Sequence, residues 1–185
     1  YNNTVLAFSR GEDAAPLLNF PMSGLLSADL YNIDFKWTHS CDSCNFILQI
    51  YDFDSKALVF QSYVNSVNYT LVSPLKYLTP GKKYFWNIQL DKSVIKSNSS
   101  SFTVSKKGDF NLKISEIDNA LSKETLKLQS LPRTLMVMSN LQENQQINYA
   151  FQYAKLSKAK QPKDKLLAEY LDKIYFEELK KRLQQ

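Results

Sequence analysis

A strict alternation of apolar and polar residues constrains the fold of this chain most. Every second residue from Tyr31 to Trp37 is apolar, and the residues between them are polar. Successive side chains of an extended chain point to opposite faces, so this period of two predicts a strand with one buried face. Similar runs, separated by turn signals such as Pro80-Gly81, follow at Phe46–Phe53, Ala57–Val64, Val67–Val72, Tyr84–Leu90 and Ser101–Val104.

The spacing of these short runs is typical of a β-sandwich. No helical period interrupts them, which favours antiparallel pairing over a parallel sheet. The chain has 185 residues, of which 44% are hydrophobic and 22% are charged. That length suffices for one sandwich of ordinary size and a smaller second unit.

The segment Leu78–Ile88 resembles the corner between strands E and F of fibronectin type III domains, whose pattern is Leu-x-Pro-Gly-x-x-Tyr followed by alternating apolar residues. The resemblance covers about residues 16–106 and implies an all-β, immunoglobulin-like or fibronectin III-like sandwich. It implies a core position for Trp37 and a tyrosine corner at Tyr84, and we expect Trp86 in the same core. The chain departs from the family in its long hairpin between strands C and C′ and in its pair of cysteines.

The hydrophobic period lengthens after Gly108, where apolar residues recur as on one face of a helix. We predict a first helix at about residues 112–129. Two more helices are predicted at about residues 134–160 and 162–183, because a proline suits the first turn of a helix and basic residues suit the last turn.

The predicted domains are a fibronectin III-like sandwich over residues 1–106 and an all-α helical hairpin region over residues 107–185. The hairpin resembles a single tetratricopeptide repeat, in which a small residue lets two helices approach and a proline opens the next helix. One such repeat is not stable by itself, so we expect it to pack against other parts of the chain. The residues that carry this resemblance are Leu141, Ala150, Pro162 and the segment Leu167–Tyr170.

The sharpest motif is the Cys-x-x-Cys sequence at Cys41 and Cys44, which has three interpretations. A redox-active pair needs a helix N-terminus to stabilise the thiolate, yet the residues after Cys44 continue as a strand. A zinc site could add His39, but structural zinc prefers four ligands and the chain offers no second Cys or His pair. The interpretation that we favour is a disulfide in an oxidising compartment, closing too short a loop to stabilise the fold strongly.

The sequence gives no sign of a catalytic centre. His39 is the only histidine, and the usual nucleotide, zinc-protease and esterase motifs are missing. Asp52 and Asp54 flank a hairpin turn and fit turn capping better than calcium binding, because the glycine and distant glutamate of an EF-hand loop are lacking. We therefore expect a protein that is not an enzyme, with no catalytic residue, no cofactor and no metal site.

Four aromatic residues alternate away from the predicted core and form a candidate ligand surface: Tyr51, Phe53, Tyr63 and Phe85. Carbohydrate binding would require these rings to form a flat platform on one sheet. The alternative, which we favour, is that they cover the second sheet face or dock the helices.

The formal net charge of +5 is too mild for a nucleic-acid-binding protein, so we expect no nucleic acid partner. No apolar run reaches the roughly 18 residues that cross a bilayer. Our hypothesis is that a signal peptide or membrane anchor preceded Tyr1. Asn2, Asn68 and Asn98 begin glycosylation sequons, which matter only in a eukaryotic secretory protein.

These features favour a non-catalytic protein-protein interaction or scaffolding module of the cell envelope, located in the periplasm, secreted or anchored to the envelope. The domain pair resembles exported bacterial envelope proteins, which supports this hypothesis by analogy. The alternative is an accessory region of a larger enzyme, either carbohydrate-binding or a spacer.

Overall fold

The computed structural model describes residues 14–41, 43–124 and 130–160, together with residues 165, 169 and 173. The chain divides into two compact units. Among the described residues, the first unit contains those up to Met22 and Leu30–Phe102, and the second contains Ser23–Asp29 and those from Thr103 onward. The predicted boundary between residues 106 and 107 stays a prediction.

The described strands form two sheets. They are β1 Leu17–Phe20, β2 Leu25–Leu26, β3 Asn32–Thr38, β4 Phe46–Asp52, β5 Leu58–Val64, β6 Asn68–Val72, β7 Lys83–Leu90 and β8 Ser100–Val104. One sheet has the order β1-β3-β6 and the other the order β2-β8-β7-β4-β5. Apart from the short β2, which runs parallel to β8, this is the arrangement of strands A, B and E against strands G, F, C and C′.

The predicted immunoglobulin-like or fibronectin III-like sandwich is therefore confirmed. Each predicted strand lies within one residue of the observed one. Alternate residues of β3 and β4 are buried, as the period of two requires. At the centre of the core, the Phe35 ring lies edge-on to Trp86 with the ring centroids 5.1 Å apart.

The structure buries Trp37, Tyr84 and Trp86, each at 2% exposure or less. The Trp86 indole N–H donates a hydrogen bond to the carbonyl of Pro21 at 3.2 Å. The Tyr84 hydroxyl accepts a hydrogen bond from the backbone N–H of Thr79 at 2.7 Å. The Tyr84 ring thus fills the core while its hydroxyl ties the E-to-F corner to β7.

The second unit contains three described helices, α1 Asp109–Glu124, α2 Ser130–Glu143 and α3 Ile147–Lys160. This confirms a helical region after the sandwich. Its described core is built mainly from the three helices. Within the described residues, no helix has the length and apolar character needed to span a bilayer.

The single helix predicted over residues 134–160 is wrong, because the chain turns between α2 and α3. Gln145 takes a left-handed backbone conformation with φ of 58°. The N–H of Gln146 donates to the carbonyl of Leu141 at 2.8 Å, and the N–H of Gln145 donates to that of Gln142 at 3.0 Å. These two bonds form a Schellman motif, which terminates α2 although Gln145 replaces the usual glycine.

The other predicted helices differ in what the structure describes. The helix predicted at 112–129 begins earlier, at Asp109, and residues 125–129 lie outside the described residues. The helix predicted at 162–183 also lies outside them, except for residues 165, 169 and 173, which are helical. Pro162 and Leu167–Tyr170, which carry part of the tetratricopeptide resemblance, fall in that segment apart from Glu169.

Strand β2 belongs to the same unit as the helices. The carbonyl of Gly24 accepts a hydrogen bond from the N–H of Thr103 at 2.9 Å, and the Asp29 carboxylate accepts one from the N–H of Gly108 at 2.9 Å. Leu25 packs against the apolar cluster of the helices, which includes Phe110. An early segment of the chain therefore contributes to the helical unit.

Candidate ligand-binding face of the sandwich

The outer face of the five-stranded sheet is defined by alternation in β4 and β7. In β4, the residues from Phe46 to Asp52 alternate between buried and partly exposed side chains, and the partly exposed ones face outward. The register forms cross-strand rows on this face: Tyr51 opposite Phe85, Gln49 opposite Asn87, and Ile47 opposite Gln89.

Three of the four predicted aromatic residues meet on this face. The rings of Tyr51 and Phe85 are stacked, with centroids 4.9 Å apart and planes 8° apart. The ring of Phe53 lies edge-on to Phe85 at 6.4 Å. Because Tyr51 and Phe85 present their faces to each other, the cluster does not form the flat platform that carbohydrate binding would use.

Three lysines surround these rings. The Nζ atom of Lys56 lies 4.4 Å from the ring centroid of Phe53, and that of Lys83 lies 4.0 Å from the same centroid. The Nζ atom of Lys96 lies 5.4 Å from the Tyr51 ring. These distances allow cation–π attraction. We call these six residues, Tyr51, Phe53, Phe85, Lys56, Lys83 and Lys96, the cation–aromatic patch.

Asp52 positions the hairpin that carries part of this patch. One carboxylate oxygen accepts hydrogen bonds from the N–H of Ser55 at 2.9 Å, from its hydroxyl at 3.0 Å and from the N–H of Asp54 at 3.1 Å. The other oxygen lies 3.4 Å from the ammonium of Lys82. The bonds from Ser55, with smaller contributions from Lys82 and Asp54, lower the pKa of Asp52 to about 2. Asp52 thus acts as a turn cap.

Tyr63 lies apart from the other three aromatic residues, near the far end of β5. Its cross-strand neighbour is Ile47, and its side chain is 68% exposed. It lines a cavity of about 410 Å³, which we call the Tyr63 pocket, with Asn45, Val64, Asn65 and Asp91. The N–H of Asp91 donates to the carbonyl of Asn45 at 2.9 Å and holds two of the pocket segments together.

A row of amide side chains separates the Tyr63 pocket from the cation–aromatic patch. The amide nitrogen of Gln49 donates to the side-chain oxygen of Gln61 at 3.1 Å. Asn87, on the other side of Gln49, is 2% exposed. The four aromatic candidates therefore fall into two sites on one face.

Strand β5 is the last strand of its sheet and pairs, among the described residues, only with β4. Its seven residues include no charged residue and no proline. Natural edge strands usually carry such residues, because an unprotected edge offers its backbone N–H and C=O groups to another strand. The lack of charge over Leu58–Val64 is visible in the sequence, but its importance depends on knowing that this strand is an edge.

On the core side of this edge, Phe60 contacts one aromatic ring of β6 and one in the segment between β6 and β7. The Phe60 ring lies 4.9 Å from that of Tyr77 and 5.8 Å from that of Tyr69. The Phe60 ring therefore packs against other aromatic rings of the protein, whereas the side chains of Leu58 and Tyr63 on β5 are 48% and 68% exposed.

Cys41 and Cys44 form a disulfide with 5.5 Å between their Cα atoms. The Nε2 atom of His39 lies 2.7 Å from the carbonyl of Ala14, and Nδ1 accepts a hydrogen bond from the N–H of Cys41 at 3.0 Å. The ligand atoms of His39 and both cysteines lie within 4.8 Å of one another. With the disulfide closed, the sulfurs are not thiolates, and zinc binds cysteine as thiolate. The chain continues into β4 at Phe46, so no helix begins at this motif.

The similarity of this chain to known proteins is found among solved structures. No protein-family model matches the chain, and no curated protein matches it. Among solved structures, the chain is similar to the fibronectin type III domain of the human collagen alpha-1(XX) chain, with 13% identity and a TM-score of 0.36, over 55% of this chain and 96% of that one.

Two bacterial structures give similar values. CopC from Methylosinus trichosporium shares 15% identity with a TM-score of 0.35, over 49% of this chain and 93% of that one. An immunoglobulin-like β-sandwich protein from Bacteroides vulgatus shares 18% identity with a TM-score of 0.31, over 41% of this chain and 77% of that one.

Proposed function

We propose that this protein is a non-catalytic interaction module, and that its sandwich binds an extended segment of a partner protein along β5. The observation that carries this proposal is the uncharged, seven-residue edge at Leu58–Val64. A strand added to such an edge gains backbone hydrogen bonds, while its alternate side chains supply specificity. The partner contacts on β5 would be Leu58 and Tyr63, which are exposed near its two ends.

The cation–aromatic patch supports a protein partner over a polysaccharide. Its rings are stacked on one another or approached by lysine ammonium groups, so they do not offer a flat apolar surface to a sugar. The carbohydrate-binding form of the alternative function, an accessory region of a larger enzyme, therefore lacks the flat platform that it would require, whereas the spacer form does not depend on these rings. Carbohydrate binding stays an outcome that the experiments below can reveal.

We place the module outside the cytoplasm, in the periplasm, secreted or anchored to the envelope. The disulfide between Cys41 and Cys44 supports this, because structural disulfides persist in oxidising compartments. The tetratricopeptide-like character of the helical unit belongs to the same proposal. Leu141 and Ala150 are fully buried in one apolar cluster of that unit, as expected where a small residue lets two helices approach closely.

The experiment that tests the proposal selects heptapeptides from a random display library on the intact protein. Amide hydrogen exchange is then measured with a selected peptide bound. Pairing along β5 predicts slower exchange of the β5 amides that face away from β4. Protection confined to other parts of the chain would contradict the proposal.

A matched pair of variants checks the site. Gln61→Lys places a charge at the middle of β5, which should abolish binding because edge lysines block strand addition. Val94→Lys adds the same charge at a side chain that is 95% exposed and lies outside the strands, and it should bind as the parent does. Equal binding by both variants would place the peptide elsewhere.

A further inference from the structure

We propose that the Tyr63 pocket receives a basic side chain, arginine in preference to lysine, from the strand that pairs with β5. The inference rests on the proposed function, since it names the chemistry of a partner residue at one end of that edge. The pocket is formed by the end of β5 and by the segments that precede β4 and follow β7.

The polar groups of the pocket favour a cation. Its lining includes the carboxylate of Asp91 and the side chains of Asn45 and Asn65, but no lysine or arginine. Asp91 is half-buried, and no hydrogen bond or ion pair to its carboxylate is found among the described residues. A guanidinium group can donate two parallel hydrogen bonds to a carboxylate and further bonds to amide oxygens. The same carboxylate disfavours an anionic ligand.

The exposed ring of Tyr63 supplies the second contact. Guanidinium groups stack on aromatic faces more readily than ammonium groups do, which is why arginine is preferred to lysine here. No aromatic pair involving Tyr63 is found in the described part of the chain, unlike the stacked Tyr51 and Phe85. Its exposed side chain is available to a ligand.

A strand that pairs with β5 would place one of its side chains beside the Tyr63 pocket. A residue directly opposite Tyr63 on an added strand would have its Cβ atom about 5 Å from that of Tyr63. Asn65 follows β5, whereas Asp91 follows β7 on the β4 side of Tyr63, so a long side chain opposite Tyr63 would have to extend across the Tyr63 ring to reach Asp91. Because the arginine itself has to lie opposite Tyr63, the pocket would also select one register of the partner strand.

The ligand groups of the Tyr63 pocket do not suit a calcium ion. Calcium takes at least six oxygen ligands, usually with several carboxylates, whereas the Tyr63 pocket has one carboxylate in its lining. One carboxylate, two amides and one aromatic ring suit a single guanidinium group.

The test repeats the peptide selection on two proteins, the parent and the Asp91→Asn variant. Peptides selected on the parent should carry arginine at the position opposite Tyr63, and this preference should disappear on Asp91→Asn although β5 remains protected from exchange. An arginine peptide should bind Asp91→Asn about tenfold more weakly than the parent. Tyr63→Leu should weaken it about threefold. Asp54→Asn, which removes an exposed carboxylate at the opposite end of β5, is the matched control and should leave the affinity unchanged.

The outcomes distinguish this inference from the proposed function. Peptides that protect β5 but show no preference for a basic residue would overturn the inference and leave the edge proposal standing. If no peptide protects β5, the edge proposal fails, and the pocket is probed with N-acetyl-arginine amide by NMR. Shifts at Tyr63 and Asn65 that depend on Asp91 would support the pocket, and their absence would overturn it. Shifts with glucose or galactose in place of the arginine derivative would also overturn it and favour a sugar site.

Discussion

The carboxylate of Asp52 accepts the hydrogen bonds that shape the turn of the β4–β5 hairpin. Its folded-state pKa of about 2 is lower than the value of about 4 that an aspartate has in an unfolded chain. The charged form therefore stabilises the folded state at pH values above about 4, and this contribution disappears as the pH falls from about 4 to about 2. The group that supplies most of the shift is Ser55.

We predict that Asp52→Asn removes this pH dependence, because an amide does not titrate in this range. The urea midpoint of the parent should fall more steeply than that of the variant between about pH 4 and about pH 2, the window set by the two pKa values. Asp54→Asn changes the neighbouring carboxylate, which faces solvent, and provides the control. Parallel pH profiles for the parent and Asp52→Asn would show that the Ser55 bonds do not stabilise the folded state through the charge.

The turn between α2 and α3 is an element boundary that depends on one strained residue. Gln145 has a φ of 58°, a conformation that costs an L-residue roughly 1–2 kcal/mol relative to the right-handed helix and costs glycine little. We predict that Gln145→Gly raises the free energy of unfolding by about 0.5 kcal/mol, since part of the gain is offset by the greater freedom of glycine in the unfolded chain. Urea denaturation measures the change.

The control for this prediction has the opposite sign. Lys155→Gly places glycine inside α3 at an exposed position, where it should lower the free energy of unfolding by about 1 kcal/mol. A loss of stability in Gln145→Gly as well would mean that the side chain of Gln145 contributes more than its backbone strain costs.

The same turn shows why some elements could be predicted from the sequence and others could not. Strands such as β3 follow from alternation alone, because burial on one face repeats with the pleat. The sequence does not predict the end of α2, because the Schellman motif uses Gln145 and not glycine and the helical pattern continues through the turn.

The candidate site also combines features that the sequence predicts with features that it does not. Alternation predicts that Tyr51 and Phe85 point away from the core, and the register places them side by side. It could not indicate where Tyr63 lies along the face or what lies beside it. Asp91 and Asn45 reach the Tyr63 pocket from separate loops, and only the pairing of β4 with its two neighbours brings those loops together.

The helical unit is not continuous in sequence. Besides the described residues from Thr103 onward it contains Ser23–Asp29, which precedes most of the sandwich strands in the sequence. Leu25 packs against the cluster of the helices, and Asp29 bonds to the residue that precedes α1. Contacts of this kind pair residues far apart in sequence, so periodicity does not reveal them.

We therefore predict that a fragment beginning at Gly108 does not form the native helical unit. Such a fragment lacks β2 and the strand segment that pairs with it, and it loses the hydrogen bonds from Thr103 to Gly24 and from Gly108 to Asp29.

In the intact chain, Leu25→Ala should lower the protection of α3 amides from hydrogen exchange, with a cost of about 1–2 kcal/mol for a partly buried leucine. Leu18→Ala, which removes a buried side chain from the other unit, is the matched control and should act first on sandwich amides. Native protection of α3 in the isolated fragment, together with an unchanged α3 in Leu25→Ala, would show that the helices stand without β2 and that the boundary predicted between residues 106 and 107 is the physical one.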